Sequence, residues 1–173
     1  GKGRLQLHTK DMGLRMSIVW SLVRISVGGV AQFLVATASW VFLMSIVSGF
    51  GSGAVAGYTI AVRVVMFSIL PAWGLSNATA TLVGQNLGAG LIERADTTTW
   101  KIAQYNAAYM AFAAILMLIF DDQIASFFTS EADVLAYAIE CLQIFAYGYV
   151  GWGFGMAVIQ AFNGAGDTMT PTY

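Results

Sequence analysis

Two ionisable side chains stand next to long uncharged stretches of the sequence, and they are the first candidates for chemistry. Arg63 is the single charged residue between Arg24 and Glu93, and Glu140 directly precedes an uncharged run over 141–166. A charge inside a membrane span is costly and usually faces a bundle interior or an aqueous cavity. A partly buried carboxylate has a raised pKa and can exchange a proton or a cation. We therefore take Arg63 as a candidate for a solute cavity and Glu140 as a candidate for ion coupling.

Each of these residues also has a plainer interpretation. Arg63 could extend to the membrane surface or cap a neighbouring helix, and Glu140 could be a hydrated residue at the edge of a span. Gln32, the one strongly polar side chain in the middle of the first uncharged run, could bind substrate or a neighbouring helix equally well.

Polar residues near Arg63 recur at helical spacing and suggest a helix that lines a solute pathway. Pro71 interrupts the same helix, because it removes one backbone donor, and is predicted to kink it and act as a hinge. Tyr147 shares a helical stripe with Glu140. Together the cavity candidates are Gln32, Thr59, Arg63, Asn77 and Tyr147.

Metal, redox and nucleotide chemistry find little support. His8 and Cys141 are the only histidine and cysteine, so neither a disulfide within the chain nor a multi-cysteine metal site is possible. The Gly-Ala-Gly stretches at 88–90 and 164–166 follow no strand and precede no phosphate-binding lysine. With a net charge of −1 the chain is not expected to bind nucleic acid, and we predict neither an enzyme nor a cofactor.

The elements that carry these residues are predicted to be transmembrane helices. Only 10% of the 173 residues are charged and 58% are apolar, too few charges to cover the surface of a soluble domain. Spanning a bilayer takes about 20 apolar residues, and backbone groups in lipid must pair within the element. We predict an all-α polytopic bundle with spans at about 22–47, 54–83, 99–120 and 134–162. The alternative, a soluble helical protein, does not fit four such long uncharged runs.

Basic residues alternate between the connections and set the expected orientation. The N-terminal stretch and the 84–98 loop are predicted cytoplasmic, whereas the 49–53 turn and the acidic 121–133 loop are predicted external. Residues 1–21 are expected to form a cytoplasmic connection and an interfacial lead-in, and 22–173 a partial transmembrane lobe. Gly151 and Gly155 have the spacing of a helix-packing motif. Gly164 to Gly166 can end the last span, and Thr170 before Pro171 is expected to cap a following helix that the sequence cuts short.

Two stretches together resemble a known family. The first reads Pro-Ala-Trp-Gly-Leu-Ser-Asn-Ala over 71–78 and continues as Leu-Val-Gly-Gln-Asn-Leu-Gly-Ala-Gly over 82–90. The second reads Gln-Ala-Phe-Asn-Gly-Ala-Gly-Asp-Thr over 160–168. Their order and separation are similar to the multidrug and toxic compound extrusion (MATE) family, from Arg24 onward. The motif residues are Gly84, Gln85, Gly88, Gly90, Gly164, Gly166, Asp167 and Pro171.

The resemblance implies a larger protein with a transport function. MATE proteins have twelve helices in two lobes, and this chain would supply helices seven to ten of a multi-pass protein of the bacterial inner-membrane type. They export drugs and organic cations in exchange for Na⁺ or H⁺ by alternating access of the lobes. The expected partners are membrane lipid, an amphipathic or cationic substrate and the missing N-terminal lobe. The first predicted span carries no Asp or Glu, so the resemblance does not identify whether Na⁺ or H⁺ is the coupling ion. A lipid-linked oligosaccharide flippase of the wider superfamily is the alternative.

Overall fold

The computed structural model describes residues 16–172, apart from the side chains of Ile25 and Thr172. Most of the predicted N-terminal connection, including His8, lies outside the described residues. The described residues form helices joined by short connections, with no strand among them, in the order α1 (Met16–Ser48), α2 (Ser52–Gly88), α3 (Ile92–Ile119), α4 (Asp121–Ser126) and α5 (Ala132–Gly164). A 3₁₀ turn over Thr170–Thr172 follows.

Four of these helices, α1, α2, α3 and α5, are long and apolar enough to cross a membrane. This confirms the all-α polytopic bundle. Each helix contains most of one predicted span and extends beyond it. The predicted spans follow the uncharged runs, whereas a helix can continue past the hydrocarbon region into the polar headgroup region. The described part of the interfacial lead-in, from Met16, already belongs to α1.

Helices α2, α3 and α5 form the packed core, and α1 lies beside α2 and the end of the chain. More than half of the buried apolar side chains in the described residues are alanines, which allow helix backbones to approach closely. Larger apolar residues cover the outside, among them Phe67 and Phe112. This arrangement suits a hydrocarbon solvent, in which an apolar exterior costs nothing.

Glycines mark the closest helix contacts. A Cβ on Gly57 of α2 would lie 2.8 Å from both the Val134 oxygen and the Ala138 nitrogen of α5. A Cβ on Gly153 of α5 would lie 3.1 Å from the Asn106 oxygen of α3. The packing predicted for Gly151 and Gly155 is wrong, because a Cβ on either would meet nothing within 4 Å. The contact lies between them, at Gly153, on a different face of the helix.

The two Gly-Ala-Gly stretches end α2 and α5 in the same way. Gly90 has φ 74° and Gly166 has φ 84°, the left-handed conformation that glycine adopts without strain. The next amide in each case reaches back five residues, Leu91 N to Asn86 O at 2.8 Å and Asp167 N to Phe162 O at 3.0 Å. This is the Schellman cap, and it confirms the helix end predicted at 164–166.

The expected cap at Thr170 is corrected by the structure. The capping side chain is Asp167, whose Oδ1 accepts the backbone N–H of Met169 at 3.3 Å and of Thr170 at 3.0 Å. The Thr170 hydroxyl instead donates to the other Asp167 oxygen. Aspartate is a stronger N-cap than threonine because its carboxylate can accept several backbone donors at once.

We expect Gly57→Ala to destabilise the protein, because the added methyl group meets backbone atoms of α5 that cannot move aside. Overpacking of this kind costs roughly 1–3 kcal/mol. Gly148→Ala is the matched control, since a Cβ there meets nothing within 4 Å. Thermal unfolding in detergent measures both. A midpoint for Gly57→Ala equal to that of Gly148→Ala would contradict the close contact between α2 and α5.

Candidate functional site

A cleft of ≈ 690 Å³ lies between α1 on one side and α2 and α5 on the other. Its volume falls within the range of small-molecule sites, about 300–1,000 Å³. Phe33, Trp73 and Met156 contribute large apolar surfaces, and Gln32, Gln160 and Asn163 contribute the amide groups. Among the described residues, none that lines the cleft is an Asp, Glu, Lys or Arg.

A chain of four amides crosses the cleft and joins α1, α5 and α2. Gln32 Nε2 donates to Asn163 Oδ1 at 3.3 Å, and Asn163 Nδ2 donates to Gln160 Oε1 at 2.9 Å. Gln160 Nε2 in turn donates to Asn77 Oδ1 at 2.7 Å. Each amide in the middle both accepts and donates, so the four groups point in one direction. We refer to Gln32, Asn163, Gln160 and Asn77 as the amide chain.

Local structure positions the amide chain. Gln160 and Asn163 are three residues apart on α5, which places them on one face of the last turns. Gln32 Nε2 also donates to the Thr168 backbone oxygen at 2.7 Å, just past the end of α5. Hydrogen bonds from the Thr170 side chain and from the Thr170 and Met169 backbone lower the pKa of Asp167 below the usual aspartate range. The carboxylate therefore stays ionised at neutral pH and holds the turn that presents Thr168.

The structure separates the predicted cavity residues. Gln32 and Asn77 join the amide chain. The contact of Gln32 with a neighbouring helix is therefore present, and Gln32 also lines the cleft, whereas its hydrogen bond to substrate stays a prediction. Thr59 donates to its own helix at Val55 O, and Arg63 and Tyr147 are exposed away from the cleft.

Glu140 lies in a separate groove at the other end of the bundle. It is exposed on the described chain, as the interpretation of a hydrated residue at the edge of a span expects, and its role in ion coupling stays a prediction. The groove also contains Asp133 and Tyr137 of α5, together with Phe50 and the start of α2. Because α5 begins only at Ala132, Glu140 lies just two turns from its end, where burial by neighbouring helices is incomplete.

Most of the motif residues lie where α2 and α5 cross or end. A Cβ on Gly84 would lie 3.1 Å from Gly164 O, and a Cβ on Gly164 would overlap the Ala80 backbone, so the two motifs meet where α2 crosses α5. Gly88 is the last residue of α2, and Gln85 contributes its backbone oxygen to the helix end. Gly90, Gly166 and Asp167 form the caps described above, and Pro171 lines a smaller hollow beside Gln32 and Trp73. Pro71 lies inside α2, which continues through it as one helix.

Sequence reasoning missed three polar residues. Gln160 and Asn163 belong to the second motif stretch but are not among the predicted site residues, although two amides three residues apart in a span are a usable signal for a polar site. Asn106 is not among the predicted site residues either. It is fully buried in α3, and its Nδ2 donates to Ser76 Oγ at 3.0 Å and to Gly153 O at 2.7 Å. A lone Asn in an uncharged span could have been flagged as an interhelical contact.

Comparison with known proteins identifies similar chains. A family model described as MatE matches residues 29–173. In Bacillus subtilis (strain 168), "Probable multidrug resistance protein YoeA" is 25% identical over 151 residues, which cover 87% of this chain and 33% of that protein. "Probable multidrug resistance protein YpnP" from the same organism is 25% identical over 146 residues, or 83% of this chain and 33% of that protein. The chain therefore spans about a third of the length of these two curated relatives.

Asn163 is central to the amide chain, so we expect Asn163→Ala to loosen α1. The substitution removes both the acceptor of Gln32 and the donor to Gln160, each worth about 1 kcal/mol. Hydrogen exchange of backbone amides over 26–37 should accelerate, while exchange in α3 should not change. Gln104→Ala is the control, because Gln104 is an exposed amide residue on α3 and does not line the cleft. Equal exchange in the two variants would show that the amide chain does not hold α1.

Proposed function

The chain belongs to the MatE family, and from that premise we propose that it forms part of a secondary transporter that exports drugs, organic cations or other amphipathic compounds. The two relatives reported above are named as probable multidrug resistance proteins, which supports a transporter rather than an enzyme. We propose exchange against Na⁺ or H⁺ by alternating access, with a second lobe that lies outside this 173-residue chain. The protein is a multi-pass membrane protein, and we propose the bacterial cell membrane as its location.

The observation that carries the proposal is the chemistry of the cleft between α1, α2 and α5. Large apolar surfaces from Phe33, Trp73 and Met156 suit the body of an amphipathic molecule. Amide groups can reorient to hydrogen-bond varied polar groups, and Trp73 can attract a delocalised cation through its ring face. A neutral cleft holds such a compound without a fixed ion pair, so that release requires no strong charge separation.

Two residues outside the cleft fit a cavity completed by a second lobe. Arg63 and Tyr147 are exposed on the described chain although both lie within long apolar helices. Exposure of Arg63 to lipid would cost several kcal/mol, so we propose that it faces an aqueous space between the lobes. Glu140 stays the candidate for ion coupling within this chain, at the end of the bundle remote from the amide chain.

The flippase alternative finds less support in the same cleft. A pyrophosphate head group calls for several cationic donors. No described residue that lines the cleft is cationic, and Arg63 lies outside it. An uncharged, aromatic cleft favours an amphipathic drug.

Export can be tested in everted membrane vesicles that contain the full-length protein, with ethidium as the probe and imposed Na⁺ or proton gradients. We expect uptake into the vesicles that depends on one of the two gradients. Uptake that ignores both gradients would rule out the antiporter.

Trp73→Ala tests the cleft itself in the same vesicles. We expect the KM for ethidium to rise at least about twofold, since a cation–π contact is worth roughly 0.5–2 kcal/mol. Trp100→Ala is the control, because Trp100 is similarly exposed at 51% against 45% for Trp73 but lies on α3 outside the cleft. An unchanged KM in Trp73→Ala would place the substrate elsewhere.

A further inference from the structure

The middle of α2 contains a weak point next to a cluster of hydroxyl groups. Pro71 has no backbone N–H, so the oxygen of Phe67 loses its helical donor and the proline ring crowds the preceding turn. Nevertheless α2 runs unbroken from Ser52 to Gly88. Other contacts must therefore set the geometry of the helix at this position.

Two tyrosines from neighbouring helices bind the turn that precedes Pro71. Tyr109 of α3 donates its hydroxyl to the Ser68 backbone oxygen at 2.9 Å. The Tyr149 hydroxyl of α5 lies 2.6 Å from Ser68 Oγ and 3.3 Å from the Val65 backbone oxygen. Ser68 Oγ also donates to Val65 O at 3.0 Å. Two separate helices thus hold one turn of α2 by its oxygens.

The surroundings make these bonds effective. Tyr149 and Val65 are fully buried in the apolar core that α2 shares with α3 and α5. Tyr149 is thus shielded from solvent, which strengthens its hydrogen bonds relative to those at a wet surface, whereas Ser68 and Tyr109 are half-buried. On α2, Phe67 and Pro71 are exposed, so the tyrosines hold the helix from the side opposite the proline.

The cleft residues follow Pro71 within two turns. Trp73, Ser76 and Asn77 belong to the segment of α2 whose direction depends on the geometry at Pro71. We propose that Tyr109 and Tyr149 are positioning residues for transport: they clamp α2 at the Ser68 turn and so set where the cleft residues of α2 lie. The role of the tyrosines in transport rests on the proposed function. The clamp on α2 does not, because it depends only on the hydrogen bonds within the fold.

The test measures the shape of α2 directly. Nitroxide labels are attached at Ser52→Cys and Leu82→Cys, one on each side of Pro71. Cys141→Ser and replacement of every other cysteine of the full-length protein remove competing label sites. A straight helix with a rise of 1.5 Å per residue would place the two labelled positions roughly 45 Å apart. Pulsed electron paramagnetic resonance gives the distance distribution in lipid nanodiscs. Tyr109→Phe and Tyr149→Phe each keep the ring and remove only the hydroxyl. Tyr105→Phe is the control, since Tyr105 is an exposed tyrosine on α3 one turn before Tyr109.

We expect a second, differently bent population in the two clamp variants. Its ratio to the main population should rise about fivefold, the factor that corresponds to one hydrogen bond of about 1 kcal/mol. The Tyr105→Phe distribution should match that of the parent. Ser68→Ala, which removes the side-chain partner of Tyr149, serves as a second variant and should reproduce the Tyr149→Phe change.

The outcomes separate this proposal from the proposed function. An unchanged distribution in Tyr109→Phe, Tyr149→Phe and Ser68→Ala, even with a lowered thermal midpoint, would make the tyrosines ordinary packing residues and overturn the clamp. Ethidium export by the parent and by the clamp variants is measured in parallel in everted vesicles. A broadened distribution together with absent export would retain the clamp and reject the transport function, whereas a broadened distribution with export reduced in the clamp variants supports both.

Discussion

The arrangement of the helices depends on the side-chain amide of Asn106. In hydrocarbon, apolar side chains gain little from meeting one another rather than lipid, so helices associate through close packing and hydrogen bonds between them. Asn106 Nδ2 donates both to Ser76 Oγ of α2 and to Gly153 O of α5 and thereby joins three helices at one point. The glycine at 153 makes this possible, because any Cβ there would press on Met110 and on the Asn106 backbone.

This buried junction also shapes the cleft. Ser76 lines the cleft wall while its hydroxyl is held by Asn106 from behind. The α2–α5 wall is therefore part of the packed core, whereas α1 is attached by the amide chain and by the contact between Trp40 and Tyr58, whose ring centroids are 6.4 Å apart. The cleft lies between a rigid unit and a helix with few attachments. A transporter needs this combination, since binding requires a preformed wall and release requires movement.

Much of the fold could be predicted from the sequence because lipid imposes simple rules. Uncharged runs of span length predicted four helices, and glycine chemistry predicted the end of α5 at Gly164–Gly166. The partners of polar side chains could not be predicted, because they depend on which helix faces meet. Asn77 and Arg63 share a stripe on α2, yet within residues 16–172 only Asn77 of the two has a side-chain partner, Gln160, where α5 crosses. The exact packing glycine, Gly153 rather than Gly151 or Gly155, depends on the rotation of α5, which no spacing rule specifies.

The most direct test of the account is a double-mutant cycle between Asn106 and Ser76. Unfolding free energies in detergent are compared for Asn106→Leu, Ser76→Ala and the double variant. The account predicts a coupling energy between about 0.6 and 1.7 kcal/mol, which are the average and the maximum found for hydrogen bonds between membrane helices. Additive effects, with a coupling energy of zero, would show that the amide does not hold α2 to α3 and would contradict its role as the junction on which the bundle and its cleft depend.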